Sequence, residues 1–453
     1  MVMNMKPDAR FPIRRFCGLV FAAAWSCRFL IAMLTDSVHN VVRKDMVREA
    51  LSLVQTGVLG NLCLTPTGPS ALQPPGYVLV LAAIFHFFGT GTAAEVTKVL
   101  LCITVSSIRC ALVPFLAYRF GLSRLIVITS GVIGALWIGA LGTELQGDWD
   151  APITSVLLII LTYLHFLKPV AESGHWRAGA LGILWGLAAL FNPTVLEVLA
   201  GIALLEAIRA GRGRIPVFAR RSAILCGCLL FTLFPWALRN KLSLGQYIWT
   251  RDTMPFSLYI SYRDGAHWSD AVNTRPSLGH PDRPNHDDVD SPCPWVNPNE
   301  SRKMGEMGEL TYLKDLDEKA IRWIRTHPAE SLRLFAQHAF YFWFPPGAEF
   351  YRWQISKWMV VYSAARGLLT LLAIGGWIML FRVRRHAALL LGVILLMFPL
   401  AYYVVNWSSR YRAPMEWVLV LLAAVSISTV TEWIGRAVRN HNRQTATTLS
   451  SLA

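Results

Sequence analysis

Apolar runs recur along this chain so often that no soluble core can absorb them all. They lie near residues 16–35, 73–89, 96–118, 124–142, 152–168, 178–192, 194–208, 218–237, 357–381, 387–405 and 413–434. Crossing a bilayer takes about 20 apolar residues, roughly 17 at the least, and many of these runs reach that length. Composition agrees. Of 453 residues, 54% are hydrophobic and 16% charged, against about 25% charged in soluble domains. The expected fold is an all-α polytopic membrane protein. It is a bundle of about 10–11 transmembrane helices with juxtamembrane helices on its outer face and a long external loop. The first run follows Arg10, Arg14 and Arg15 and ends without an evident small-residue cleavage site. It is expected to be a retained helix rather than a signal peptide.

The formal net charge is +15. The Arg residues stand mostly in short clusters beside apolar runs, which is what membrane orientation and lipid phosphates require, rather than a nucleic-acid partner. Arg10, Arg14 and Arg15 place the N-terminus inside. Arg209, Arg212, Arg214, Arg220 and Arg221 place a loop at 209–221 inside. Arg382, Arg384 and Arg385 place the next turn inside, and Arg436, Arg439 and Arg443 the C-terminus. The long stretches 36–72 and 238–356 then share the outer face.

Parity now demands that one apolar run between 72 and 209 fails to cross. The run at 73–89 is short and opens Gln73-Pro74-Pro75-Gly76. If it only dips into the outer leaflet, Arg119, Arg124, Lys168 and Arg177 fall inside and the turn Asp148-Trp149-Asp150 falls outside. The alternative fuses 178–208 into one helix kinked at Pro193, which reverses these placements. The chain divides into a membrane module at 1–237, an external region at 238–356, C-terminal transmembrane helices at 357–435 and a polar tail at 436–453. The tail is expected to be disordered. No internal repeat is evident.

Polar residues gather on the outer face in three groups. Residues 43–57 pattern as an amphipathic helix in the interface, stopped at Gly57. Asp45 and Glu49 are four apart and share a face, with Arg48 one turn from Asp45. Such a carboxylate suits a general base, or the helix carries ordinary surface charges. Asp148 and Asp150 suit a cation, sugar hydroxyls or a helix cap before Pro152. Arg239, Arg410 and Arg412 stand at outer helix ends. There a guanidinium either meets phosphate oxygens or snorkels. Of the eight Cys, Cys63 and Cys293 lie in outer loops, where pairing is open; the other six lie in apolar runs. Arg28, Lys98 and Arg109 interrupt apolar runs, as transport residues do. No Walker loop, His-Glu-x-x-His or Gly-x-Ser-x-Gly occurs.

Several stretches, in one order, resemble the GT-C superfamily of polyprenyl-phosphate-sugar glycosyltransferases. The chain is most similar to the bacterial family 39-type relatives of the protein O-mannosyltransferases and aminoarabinose transferases. The stretches are Asp45 with Ala50, Ser52, Leu53 and Gly57; Gln73-Pro74-Pro75-Gly76-Tyr77 ending in Phe87-Phe88-Gly89; Asp148-Trp149-Asp150; Asn192-Pro193; Pro235-Trp236 with Arg239-Asn240; Gly308-Glu309 with Tyr312, His327-Pro328 and Phe342-Trp343; and Arg410-Tyr411-Arg412 with Pro414. The chain departs from the pattern at Gln73, where many members carry a basic residue, and at Glu49, where an aromatic is usual.

The resemblance implies a GT-C-like bundle and inverting sugar transfer from a polyprenyl-phosphate donor to an acceptor hydroxyl of a lipid, glycan or protein. The reaction would occur on the external face of a bacterial plasma membrane, without metal or cofactor. Asp45 is the expected base, with Asp36 as fallback. Arg48, Arg239, Arg410 and Arg412 would hold the donor phosphate, and Asp148, Asp150, Glu309 and Tyr312 would orient substrate. The rival expectation is a transporter or flippase for a lipid-linked or anionic solute; a non-catalytic scaffold of the same fold is a third.

Overall fold

The structure is a computed structural model that describes residues 11–38, 45–137, 139, 144–145, 147–274, 291–346 and 357–450. Among the described residues its regular secondary structure is helical, without a named strand. The bundle is built from α1 (Ile13–Leu34), α4 (Thr92–Arg119), α5 (Arg124–Leu136), α6 (Ala151–Leu167), α7 (His175–Phe191), α8 (Val195–Leu244), α14 (Lys357–Val383), α15 (Arg385–Met397), α16 (Leu400–Val404) and α17 (Glu416–Ser450). Among the described residues, six helices or helix pairs are long and apolar enough to cross a membrane. The chain is therefore an all-α membrane protein.

Contacts fix two ends of the bundle. At one end Arg384 donates to the carbonyl of Gly121 (3.0 Å), the Arg119 guanidinium lies over Tyr163 (5.3 Å), and Phe166 stacks on His386. Cationic turns on either side of the chain's middle thus meet at one end. At the other end Asn192 donates to Asp150 (3.2 Å) and Lys98 to Asp148 (2.9 Å). Asn192 leaves helical geometry (φ −147°, ψ 108°) between α7 and α8. The alternative of one fused helix over 178–208 is corrected by this break.

The short helix α3 (Pro75–Phe88) does not travel between the ends. Its Tyr77 hydroxyl contacts Cys102 Sγ (3.2 Å) and its Phe85 ring faces Lys98 (6.0 Å), so it lies alongside the first part of α4 only. At 1.5 Å per residue, its 14 residues span about 21 Å, short of a hydrocarbon core of about 30 Å. Close approach pins its start: a Cβ on Gly76 would sit 2.8 Å from the carbonyl oxygen of Leu190.

Two expectations are corrected here. The stretch 209–221 is not a loop. α8 runs through it and reverses at Gly211, whose φ of +63° is the left-handed geometry that glycine adopts freely. One limb packs beside α15, where Gly201 meets Val393 and Met397; the other packs along α7, where Gly182 meets Leu225. The polar tail is not extended coil either, since α17 continues through Ser450.

Charges inside the bundle are paired, as burial away from water demands. Glu144 joins Arg28 (3.1 Å) and Arg109 (2.5 Å), Lys98 joins Glu95 (2.8 Å) and Asp148, and Glu416 joins Arg366 and Arg412 (3.2 Å each).

The described part of the region 238–356 is mostly helical: α9 (Met254–Ser261), α10 (Asp270–Thr274), α11 (Pro298–Met307), α12 (Glu309–Thr326) and α13 (Pro328–Trp343). Together with α2 (Asp45–Thr56) and the segment 59–72, these helices cover the end of the bundle that carries Asp150. Cys63 and Cys293 are both buried in this cap, in the same hydrophobic cluster, as free thiols. Two stretches have the form of glycosylation sequons, Asn299-Glu300-Ser301 and Asn406-Trp407-Ser408; Asn299 is at the start of α11, and Asn406 is buried, its amide donating to Asp270 (3.2 Å).

Candidate functional site

The amphipathic period of residues 45–56 folds into α2, which ends at Gly57 with φ +74°. Met46, Val47, Ala50 and Leu51 are buried against α3. That packing fixes Asp45, the first residue of α2, at the wall of a cavity of about 250 Å³ between cap and bundle. Asp150, Trp149, Gln73, Asn192, Glu197, Arg251, Asp270, Tyr402 and Arg410 also line it.

Arg410 is the centre of one side. Its guanidinium lies 4.0 Å from the Trp149 ring centroid and 3.8 Å from Asp270 Oδ2. Asp270 is brought there by main chain: its N–H donates to the carbonyl of Trp407 (2.9 Å), and the N–H of Trp407 donates to that of Trp268 (2.7 Å). Burial raises the Asp45 carboxyl above the ordinary carboxylate range; the charges of Arg410 and Arg48 pull it back, and Asp270 pushes it up. A carboxylate poised upward with cations nearby is suited to taking a proton.

The opposite side starts at Asp150, which precedes α6. Its side chain does not cap the backbone. Instead its Oδ2 accepts from the Thr154 hydroxyl (2.8 Å) and the Asn192 amide (3.2 Å). Burial raises this carboxyl too, against those two donors and the charge of Arg251. Tyr402 and Tyr411 stack 4.4 Å apart and join the two sides.

Other expected site residues lie elsewhere. Arg48 points beneath the cap, donating to the carbonyls of Leu62 (3.3 Å) and Trp295 (3.2 Å). Arg239 lies on the face of Trp236 (5.0 Å) and donates to the carbonyls of Ser70 (2.8 Å) and Leu59. Arg412 is buried in the bundle, bound to Glu416, Thr370 (3.0 Å) and the carbonyl of Trp343 (3.1 Å). Asp148 is paired with Lys98. The Tyr312 hydroxyl donates to Glu300 (2.8 Å). Asp36 is exposed at the end of α1, with φ +48°. None of these lines the cavity, whereas Asp45, Asp150 and Arg410 do. Arg251, Asp270, Asn192 and Glu197 line it as well, and only Asn192 belonged to a sequence pattern, the Asn192-Pro193 break. Among the described residues no cluster of three metal-ligating side chains occurs.

Behind the cavity wall sits a second acidic group. Glu309 accepts from the N–H of Ala71 (2.7 Å). Asp252 donates its N–H to the carbonyl of Ala71 (3.1 Å), and Glu49 is fully buried. Burial pushes Glu309 up to about 8, with the Asp252 charge adding to it. Burial likewise pushes Asp252 up to about 6 and Glu49 well above the carboxylate range. These groups bind protons in the folded state that the unfolded chain releases near pH 4. Their contribution to stability is complete below that pH and is lost as pH rises through about 6 and then about 8. Unfolding temperatures in detergent are expected to fall between pH 5 and pH 8, and Glu309→Gln is expected to flatten the fall. An equally steep fall in Glu309→Gln would rule Glu309 out as its source.

No protein-family model matches the sequence, and no curated protein matches it.

Proposed function

We propose that this chain is a membrane glycosyltransferase of GT-C type. On this proposal it moves a sugar from a polyprenyl-phosphate donor to an acceptor hydroxyl, with inversion, at the capped end of its bundle. The observation that carries this is the meeting of Asp45 and Arg410 in one cavity at that end. Asp45 takes the proton of the acceptor hydroxyl. The acceptor oxygen bonds to the anomeric carbon from the face opposite the donor phosphate. The bond from that carbon to the phosphate oxygen breaks, and its electron pair leaves with the phosphate. Cationic groups in the cavity oppose the charge that grows on the leaving oxygen. Asp150, held by Thr154 and Asn192, is placed to accept hydroxyls of sugar or acceptor.

The positive clusters collected at the opposite end favour a cytoplasmic position for that end. The cap and cavity then face the exterior of a bacterial plasma membrane. The transporter reading draws on Arg28, Lys98 and Arg109, and each of these is ion-paired in the bundle. Structural pairing accounts for them without a transported ion. The test is turnover. Purified protein given a polyprenyl-phosphate sugar labelled in the sugar is expected to pass label to an acceptor and to release polyprenyl phosphate.

A further inference from the structure

Two guanidinium groups line the cavity, Arg410 and Arg251, and they are not equivalent. The charge of Arg410 is already engaged. Asp270 lies 3.8 Å away, Asp45 acts on it electrostatically, and the Trp149 and Tyr411 rings lie against it at 4.0 and 5.3 Å. A phosphate arriving there would compete with two carboxylates.

Arg251 is differently placed. Its backbone is held on both sides. The carbonyl of Thr250 accepts from the Trp236 indole (2.6 Å), and the N–H of Asp252 donates to the carbonyl of Ala71 (3.1 Å). Thr253 then precedes α9, which has Pro255 in its first turn. The side chain is thus delivered to the cavity from a fixed stem. Asp150 and Glu197 feel its charge, yet both have other partners. Asp150 accepts from Thr154 and Asn192, and Glu197 accepts from the N–H of Ala401 (3.3 Å). Among the described residues no side-chain hydrogen bond or ion pair engages the Arg251 guanidinium. Its planar fork of donors is therefore available, and that fork matches phosphate oxygens. Gln73, a neutral donor and acceptor, shares the same wall.

We propose that Arg251 is the phosphate-binding cation of this cavity, that its ligand is the monophosphate head of an isoprenoid lipid, and that Arg410 is a positioning residue for Asp45. This rests on the glycosyl-transfer reading and divides its labour. One cation takes the leaving group. The other lines the cavity beside the base and favours its carboxylate form by charge.

The test uses farnesyl phosphate and farnesol as probes, titrated calorimetrically into the full-length protein in detergent micelles. Wild-type protein is expected to prefer the phosphate by about tenfold or more, the worth of one charge-assisted contact. Arg251→Gln is expected to erase that preference while leaving farnesol affinity unchanged. Arg251→Lys, which keeps the charge, is expected to retain part of it and serves should the Gln variant fold poorly. Arg410→Gln is expected to keep most of the preference and to lose kcat with little change in KM. A preference intact in Arg251→Gln overturns the assignment. A loss in Arg410→Gln as large as in Arg251→Gln overturns the division of labour. If wild-type protein shows no preference for the phosphate, the glycosyl-transfer reading falls with it.

Discussion

Asp45→Asn is expected to lower sugar transfer by about 10²- to 10⁴-fold, the usual worth of a general base, with little change in donor binding. Asn keeps the size of the side chain and its place at the start of α2, so the packing of Met46, Val47 and Ala50 survives. What is lost is the proton acceptor. Glu49, one turn along, cannot substitute, because it is fully buried behind the wall and not on the cavity. Initial rates and donor affinity, measured side by side on purified variants, separate a lost base from a lost fold. Full activity in Asp45→Asn would remove Asp45 from the mechanism.

The largest loss of stability is expected at Glu416. Its carboxylate is shared by Arg366 and Arg412, each 3.2 Å away and 1% exposed, and it also accepts from the Trp137 indole (3.0 Å). Glu416→Leu leaves two guanidinium groups buried without a counter-charge, at a cost of about 3–5 kcal/mol. Replacing Arg366, Arg412 and Glu416 together with apolar residues of similar volume is expected to recover most of that loss, because no buried charge is then left unpaired. Denaturant titration in detergent measures both. A Glu416→Leu protein as stable as wild type would mean that water or lipid headgroups reach the two Arg residues.

Much of the framework was legible in the chain itself. Apolar runs and Arg clusters announced the membrane bundle, and the parity of those clusters singled out 73–89, which the structure sets beside the first part of α4. The helical character of α2 and its stop at Gly57 followed from amphipathic spacing and a breaker. The Arg cluster at 209–221 announced a reversal there, but not that helix would flank it on both sides and leave a turn at Gly211 in place of a loop.

The site was harder. Arg410 and Arg412 look alike in sequence, but they enter a 3-10 segment, Ser409–Met415. With about three residues per turn, side chains two apart leave on different faces. One reaches the cavity and the other the bundle interior. Arg239 stood at a helix end, where a cation often meets a ligand, but the carbonyls of Leu59 and Ser70 claim it. Arg251 and Asp270 belong to no periodic pattern. Their positions come from main-chain bonds to residues far away in sequence, Ala71 and Trp407, and spacing along one segment carries no trace of those.

The central claim is that the cavity around Asp45 breaks a bond between sugar and phosphate. Purified protein reconstituted into liposomes with a sugar-labelled polyprenyl-phosphate donor and an acceptor pool tests it most directly. The account predicts labelled acceptor and free polyprenyl phosphate, both formed about 10²- to 10⁴-fold more slowly with Asp45→Asn. Intact labelled donor crossing to the other leaflet, with no sugar released, would contradict it and make the chain a transporter.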